Sequence, residues 1–198
     1  TKVMVGSGTK AGVVLQAIRY LGKSILNDDF FDKISSQLDP SDKKKLKHNL
    51  IFPSYPASRE LCAMGGIVAN NSGGEKTLTY GKTEKYVEEI KMVLRDSNEY
   101  TFKALTMEEL EYKKKTPHLE GEIYTKIYEL IEKNYDIIQS AQPRVSKNSA
   151  GYYLWNVWDK NKGTFDLTKL IVGSQGTLGL ITQAKIKLVK PKKYSGML

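Results

Sequence analysis

The sequence predicts a mixed α and β fold, and three observations carry that reading. Two alternating runs, Glu89 to Leu94 and Tyr100 to Ala104, flank the polar turn Asp96-Ser97-Asn98 and read as a hairpin. Ile123, Ile127, Leu130, Ile131, Tyr135 and Ile138 recur at three or four positions, which predicts a helix from about residue 120 to residue 140, with Pro143 as its stop. Ala184, Ile186 and Leu188 alternate with Lys185 and Lys187, the pattern of a half-exposed strand over residues 181–189.

The remaining elements follow in chain order. Lys2 to Val5 reads as a short strand ending at Gly6-Ser7-Gly8. Ala11 to Leu21 has helical spacing, with Val14, Leu15, Ile18 and Leu21 on one side. Residues 27–49 read as an amphipathic helical insertion around Phe30, Phe31, Ile34 and Leu38, in which Asp39-Pro40-Ser41 can close one helix and open another. Thr106 followed three positions later by Glu109 predicts a capping box, and so a helix to about Lys114. Tyr152, Tyr153, Trp155 and Trp158 form the densest aromatic patch, either packed on the helix as core or lid, or forming the wall of a ligand site. The first residue is Thr1 rather than Met, so the chain is expected to be a piece of something longer.

Composition narrows the function classes. At 198 residues and 40% hydrophobic the chain can build a substantial core. No apolar run approaches the ~20 residues of a membrane span, and the start is not a signal peptide, so a soluble, cytoplasmic protein is expected. One cysteine, Cys62, and two histidines, His48 and His118, offer neither an internal disulfide nor a zinc-type cluster; no metal is expected. Cys62 reads as a small buried hydrophobe, and both histidines as surface residues. The net charge of +9 would suit an anionic partner, but the lysines are scattered over unrelated segments and the arginines are only Arg19, Arg59, Arg95 and Arg144. Nucleic-acid recognition, which favours Arg forks, is not expected.

Two glycine-rich stretches say more. The first is Met64-Gly65-Gly66-Ile67-Val68-Ala69-Asn70-Asn71-Ser72-Gly73-Gly74; the second is Val172-Gly173-Ser174-Gln175-Gly176-Thr177-Leu178-Gly179-Leu180-Ile181-Thr182. Residues without bulky side chains let a main chain approach a flat or phosphorylated ligand, so both point to a backbone-lined cofactor site. Neither matches the dinucleotide or P-loop fingerprints.

In order along the chain, Pro56-Ala57-Ser58, the first glycine stretch, Tyr80-Gly81, Gly121-Glu122-Ile123-Tyr124, Ser149-Ala150-Gly151-Tyr152 and the second glycine stretch form a spaced set of blocks. With these blocks the chain, over about Phe52 to Lys192, resembles the FAD-linked oxidases of the vanillyl-alcohol oxidase and p-cresol methylhydroxylase superfamily. It is most similar to the branch that holds glycolate oxidase and D-lactate dehydrogenase.

That resemblance implies an α+β fold, an antiparallel sheet flanked by helices, as the second subdomain of an FAD-binding domain over residues 1–192. Residues 193–198 would be a tail toward a missing cap. It implies FAD as cofactor, a first FAD subdomain and a substrate cap as missing partners, and a small 2-hydroxy acid of D-lactate or glycolate type oxidised by hydride transfer to flavin. Carried over residue by residue, Pro56, Ala57, Ser58 and Cys62 would line the flavin, and Gly65 and Gly66 would give close backbone approach. Asn70, Asn71, Ser72 and Gly73 would cover it from a neighbouring loop, and Gln175, Gly176, Thr177, Leu178, Gly179 and Ile181 would form a third strip. Many family members carry Glu where this chain has Gln175, which leaves that position without charge. No catalytic residue is assigned, since no matched block supplies the cap's substrate-binding arginines. The alternative is a non-catalytic fragment or docking module that cannot hold FAD without the first subdomain.

Overall fold

The computed structural model describes residues 2–6, 50–58, 61–145, 148 and 151–190. The helix expected over 11–21, the insertion over 27–49, His48 and the tail over 193–198 lie outside the described residues.

Six strands among these residues form one antiparallel sheet. They are β1 (Lys2–Gly6), β2 (Val87–Val93), β3 (Glu99–Thr106), β4 (Trp158–Asp159), β5 (Thr164–Asp166) and β6 (Leu180–Lys187), in the order β1-β6-β2-β3-β5-β4. The helices are α1 (Met64–Ala69), α2 (Thr77–Tyr80), α3 (Met107–Lys114), α4 (His118–Lys133), α5 (Tyr135–Ser140) and α6 (Thr168–Ile171). The α+β class and the antiparallel sheet flanked by helices are therefore as expected.

The hairpin forms where the alternation placed it. Asp96 accepts hydrogen bonds from the Asn98 backbone and side-chain N–H groups at 3.2 and 3.0 Å, and Ser97 turns the chain at φ 65°. Register decides what each face carries. Ile90 pairs with Phe102 on one side and Ala184 on the other, and all three are buried. One residue along, Glu89 pairs with Lys103 and Lys185, a row of alternating charge on the opposite face. Helices cover the first face and leave the second to polar side chains, among them Thr182, whose hydroxyl donates to Glu99 at 2.6 Å.

Aromatic rings join the helix layer to the short hairpin. Tyr124 on α4 lies 6.1 Å from Phe102 and 6.5 Å from Phe165, ring centre to ring centre. Tyr128 and Tyr135 hold Trp158 between them at 5.1 and 5.6 Å. The Lys160 ammonium sits 3.7 Å from the centre of the Tyr135 ring, a cation–π contact over the same cluster. Trp158 is thus packing against the helix, the first of the two roles open to the aromatic patch.

The long helix differs from its expected span. It is two helices, because Asn134 (φ −119°, ψ 21°) leaves helical geometry and its amide donates to the Leu130 carbonyl at 2.8 Å. An Asn side chain that competes for a backbone carbonyl interrupts a helix that apolar spacing alone would continue. The capping box is present as read. Thr106 Oγ1 accepts from Glu109 N at 3.1 Å, and the Glu109 carboxylate accepts from Thr106 N at 2.8 Å.

Two measurements test this packing. The buried Tyr124 hydroxyl has no hydrogen-bond partner among the described residues, and burial pushes its pKa well above the ordinary phenol value. Removing an unsatisfied buried hydroxyl relieves a desolvation cost, so Tyr124→Phe should leave urea stability unchanged or raise it by about 1 kcal/mol. A loss of similar size would show that the hydroxyl has a partner. The second test follows the Glu109 carboxyl, held below the ordinary range first by the Thr106 backbone N–H and then by Lys103. A depressed folded-state pKa gives stability that is present above the unfolded value and lost as pH falls through the folded one. Carboxyl NMR titration should therefore find Glu109 acidic relative to a free Glu; Lys103→Gln should move it part of the way back up, while Thr106→Ala, which keeps the donating backbone N–H, should leave most of the shift in place.

Candidate functional site

The first glycine stretch folds into α1 rather than an open loop. Met64, Ile67 and Val68 are buried, and burying that apolar side outweighs the poor helix propensity of two glycines. The helix stops at Asn71, which takes a left-handed φ of 46°. Its amide group is used internally, donating to the Glu84 carboxylate at 2.9 Å and accepting from Glu84 N at 3.0 Å.

A buried polar knot holds the following turn. The Ser72 carbonyl accepts from Thr83 Oγ1 at 2.8 Å, from Thr83 N at 3.1 Å and from Ser54 Oγ at 3.0 Å. Ser54, Ser72 and Thr83 are all buried, so each of these bonds replaces hydration that folding removed. Gly74 lets residues 53–56 pass alongside, since a Cβ there would stand 2.0 Å from the Tyr55 carbonyl oxygen.

The second stretch leaves α6 and winds through left-handed geometry at Gly173 (φ 90°), Gln175 (φ 54°) and Gly176 (φ 80°) before joining β6. This winding turns its backbone donors toward α1. Gly173 N donates to the Val68 carbonyl at 3.1 Å, and Gln175 N to the Ala69 carbonyl at 2.8 Å. Two segments far apart in sequence thereby become one surface. Thr177 Oγ1 donates to the Ser174 carbonyl at 2.6 Å and lies 2.7 Å from the Tyr152 hydroxyl.

The expected site residues divide by exposure. Ala57 and Ser58 form an exposed turn, whose Ser58 carbonyl accepts from Leu61 N and Cys62 N at 2.8 and 3.1 Å; Pro56 and the free Cys62 are half-buried. Gly66, Asn70, Gln175, Gly176 and Thr177 face solvent, and Gly65, Gly73, Leu178 and Gly179 are half-buried. Asn71 and Ser72 are buried within the polar knot, and the Ile181 side chain lies in the core. These three can offer a ligand little beyond the shape they impose on their neighbours.

The exposed part suits a flat, acceptor-bearing cofactor. A Cβ built on Gly66 or Gly176 would meet nothing within 4 Å, so the main chain is open to close approach at both. The N–H groups of Gly176 and Leu178 donate to no group among the described residues, which leaves two directed donors beside the join.

Sequence reasoning missed Lys82, which is buried behind the first stretch. Its ammonium donates to the Asn148 carbonyl and to the Tyr153 hydroxyl, the latter at 3.3 Å. Burial first, and Glu84 second, raise the Tyr153 pKa. Lys169 closes the same cluster by donating to the Glu84 carbonyl at 2.8 Å. The only available signal was the position of Lys82 directly after the Tyr80-Gly81 block.

Comparison with known proteins finds one family and several named relatives. Residues 43–102 match the family described as FAD binding domain. The chain is 26% identical to D-2-hydroxyglutarate dehydrogenase of Pseudomonas putida over 164 residues, covering 83% of this chain and 16% of that protein. It is 29% identical to the Escherichia coli enzyme of the same name over 130 residues, covering 66% and 13%. With glycolate oxidase subunit GlcD of Bacillus subtilis it shares 30% identity over 150 residues, covering 75% and 21%. The chain therefore spans about one sixth of the length of the first of these relatives. The cofactor to which these matches point is FAD. No helix among the described residues is long and apolar enough to cross a membrane.

The polar knot makes a thermodynamic prediction. Ser54→Ala and Thr83→Val should each cost about 1–2 kcal/mol in urea unfolding, because each removes a donor from the buried Ser72 carbonyl. Since both serve one acceptor, the double variant should depart from additivity by at least ~0.5 kcal/mol. Strict additivity would show that the two hydroxyls act separately.

Proposed function

We propose that this relative of the FAD-linked oxidases is the second subdomain of an FAD-binding domain and supplies one wall of the flavin site in an enzyme that oxidises a small 2-hydroxy acid. The observation that carries the reading is the backbone join of the two glycine stretches on an open face. Three named relatives, two D-2-hydroxyglutarate dehydrogenases and a glycolate oxidase component, support the hydroxy-acid class. D-lactate or glycolate is the substrate type we favour.

The chain's own residues would work as follows. Gly66 and Gly176 keep side chains out of the plane that a ring would occupy. The Gly176 and Leu178 N–H groups would donate to acceptor oxygens of the cofactor, and fixed dipoles of this kind stabilise negative charge without reorganising. Exposed Ser58 and Asn70 add side-chain polar groups at the edges. When bound, FAD supplies the two-electron oxidant for the hydroxy acid. The Asn71–Glu84 and Ser72–Thr83 bonds hold α1 and its turn in place so that these groups need not move.

A second reading, a docking module that cannot retain FAD alone, is favoured by one feature. The candidate surface is an open wall rather than an enclosed cleft, with Gly66, Asn70, Gln175 and Gly176 all facing solvent.

Both readings are tested with Gly66→Leu. The side chain would project from an open helical position, so thermal stability should hold or rise by up to ~1 kcal/mol as a glycine leaves the helix. In the full-length polypeptide that contains this chain, FAD retention should fall at least about tenfold and bleaching by D-lactate or glycolate should fall with it. Undiminished flavin in this variant would overturn the proposed wall. FAD titration of the 198-residue chain alone then separates the readings, since tight uptake excludes the docking module.

A further inference from the structure

Between α4 and the inner face of the sheet the packing leaves a cavity of about 450 Å³. That is within the ordinary range of small-molecule sites. Met92, Phe102, Leu167 and Ile171, all buried, form its floor, and Ile123, Ile127, Leu170 and Leu178 form its walls. Its mouth has a different chemistry. Arg95, Glu122 and Lys126 line it, with the Glu122 carboxylate 2.7 Å from the Lys126 ammonium and 3.6 Å from the Arg95 guanidinium. One carboxylate is shared between two cations, so the mouth carries an excess positive charge over an apolar interior.

An occupant must then have an extended apolar part and one negative group at its end. A neutral hydrocarbon would ignore the mouth, and a polyanion would find no further cations in the walls. We propose that this cavity binds an unbranched aliphatic carboxylate, with the alkyl chain against Phe102 and Ile127 and the carboxylate beside Arg95 and Lys126. Leu178 and Thr177 also line the cavity, so the ligand would contact the inner side of the second glycine stretch. The cavity assignment does not rest on the flavin reading, and either can fail while the other stands.

Calorimetric titration of the 198-residue chain with hexanoate, octanoate and decanoate, below their micelle concentrations, tests the assignment. Affinity should rise about fourfold for each added methylene, as burial of a CH₂ requires. 1-Octanol should bind about threefold more weakly than octanoate, an amount suited to exposed charges, and Arg95→Gln combined with Lys126→Gln, which leaves Glu122 as the one charge at the mouth, should remove that preference and turn it toward the alcohol. Ile123→Trp, which fills the cavity, should remove binding of the whole series while circular dichroism stays unchanged. Should that variant fail to fold, the exposed double variant still decides the matter through the acid and alcohol comparison. Affinity indifferent to chain length overturns the proposal, and so does association with phosphatidylglycerol vesicles that octanoate fails to displace.

Discussion

Two backbone hydrogen bonds, Gly173 N to the Val68 carbonyl and Gln175 N to the Ala69 carbonyl, set the geometry on which the candidate site depends. They form only because the second stretch adopts left-handed backbone in close succession, at Gly173, Gln175 and Gly176. Gln175 is the costly member, since a residue with a Cβ is held where glycine would sit without strain. The surrounding bonds over-determine that conformation. Ser174 is buried, and its carbonyl receives both the N–H and the hydroxyl of Thr177.

The polar knot behind α1 does for the first stretch what these bonds do for the second. Short hydroxyl and amide side chains satisfy the main chain from inside the fold, Ser54 and Thr83 by donating to the Ser72 carbonyl and Asn71 by accepting from Glu84 N. The outward side of α1 and its turn is therefore left bare. A surface built from backbone and small side chains has few rotamers to freeze when a ligand arrives, which lowers the entropic cost of binding.

Much of the fold was legible in the sequence where local chemistry and tertiary packing agree. The hairpin, the capping box at Thr106 and the last strand follow from alternation and spacing, and appear with bounds shifted by a residue or two. Where a tertiary contact overrode a local preference, the reading fell short. Two adjacent glycines concealed α1, whose stability comes from burying Met64, Ile67 and Val68. The hairpin of β4 and β5 has strands of two and three residues, too short for a period to register. Asn134 interrupts the long helix through one side-chain bond that apolar spacing does not record. Within the site, the blocks themselves could be read. Their division could not: Asn70 faces solvent while Asn71 beside it is buried, and only the Glu84 contact distinguishes them.

The pairing of β1 with β6 has an architectural consequence. Lys2 and Lys187 are partners in register, so residues 185 positions apart in the sequence stand side by side in the sheet. Antiparallel partners stand only about 5 Å apart. Closing so long a loop carries an entropic cost that the local hairpin pairings do not, which makes this five-residue pairing a late step in assembling the sheet.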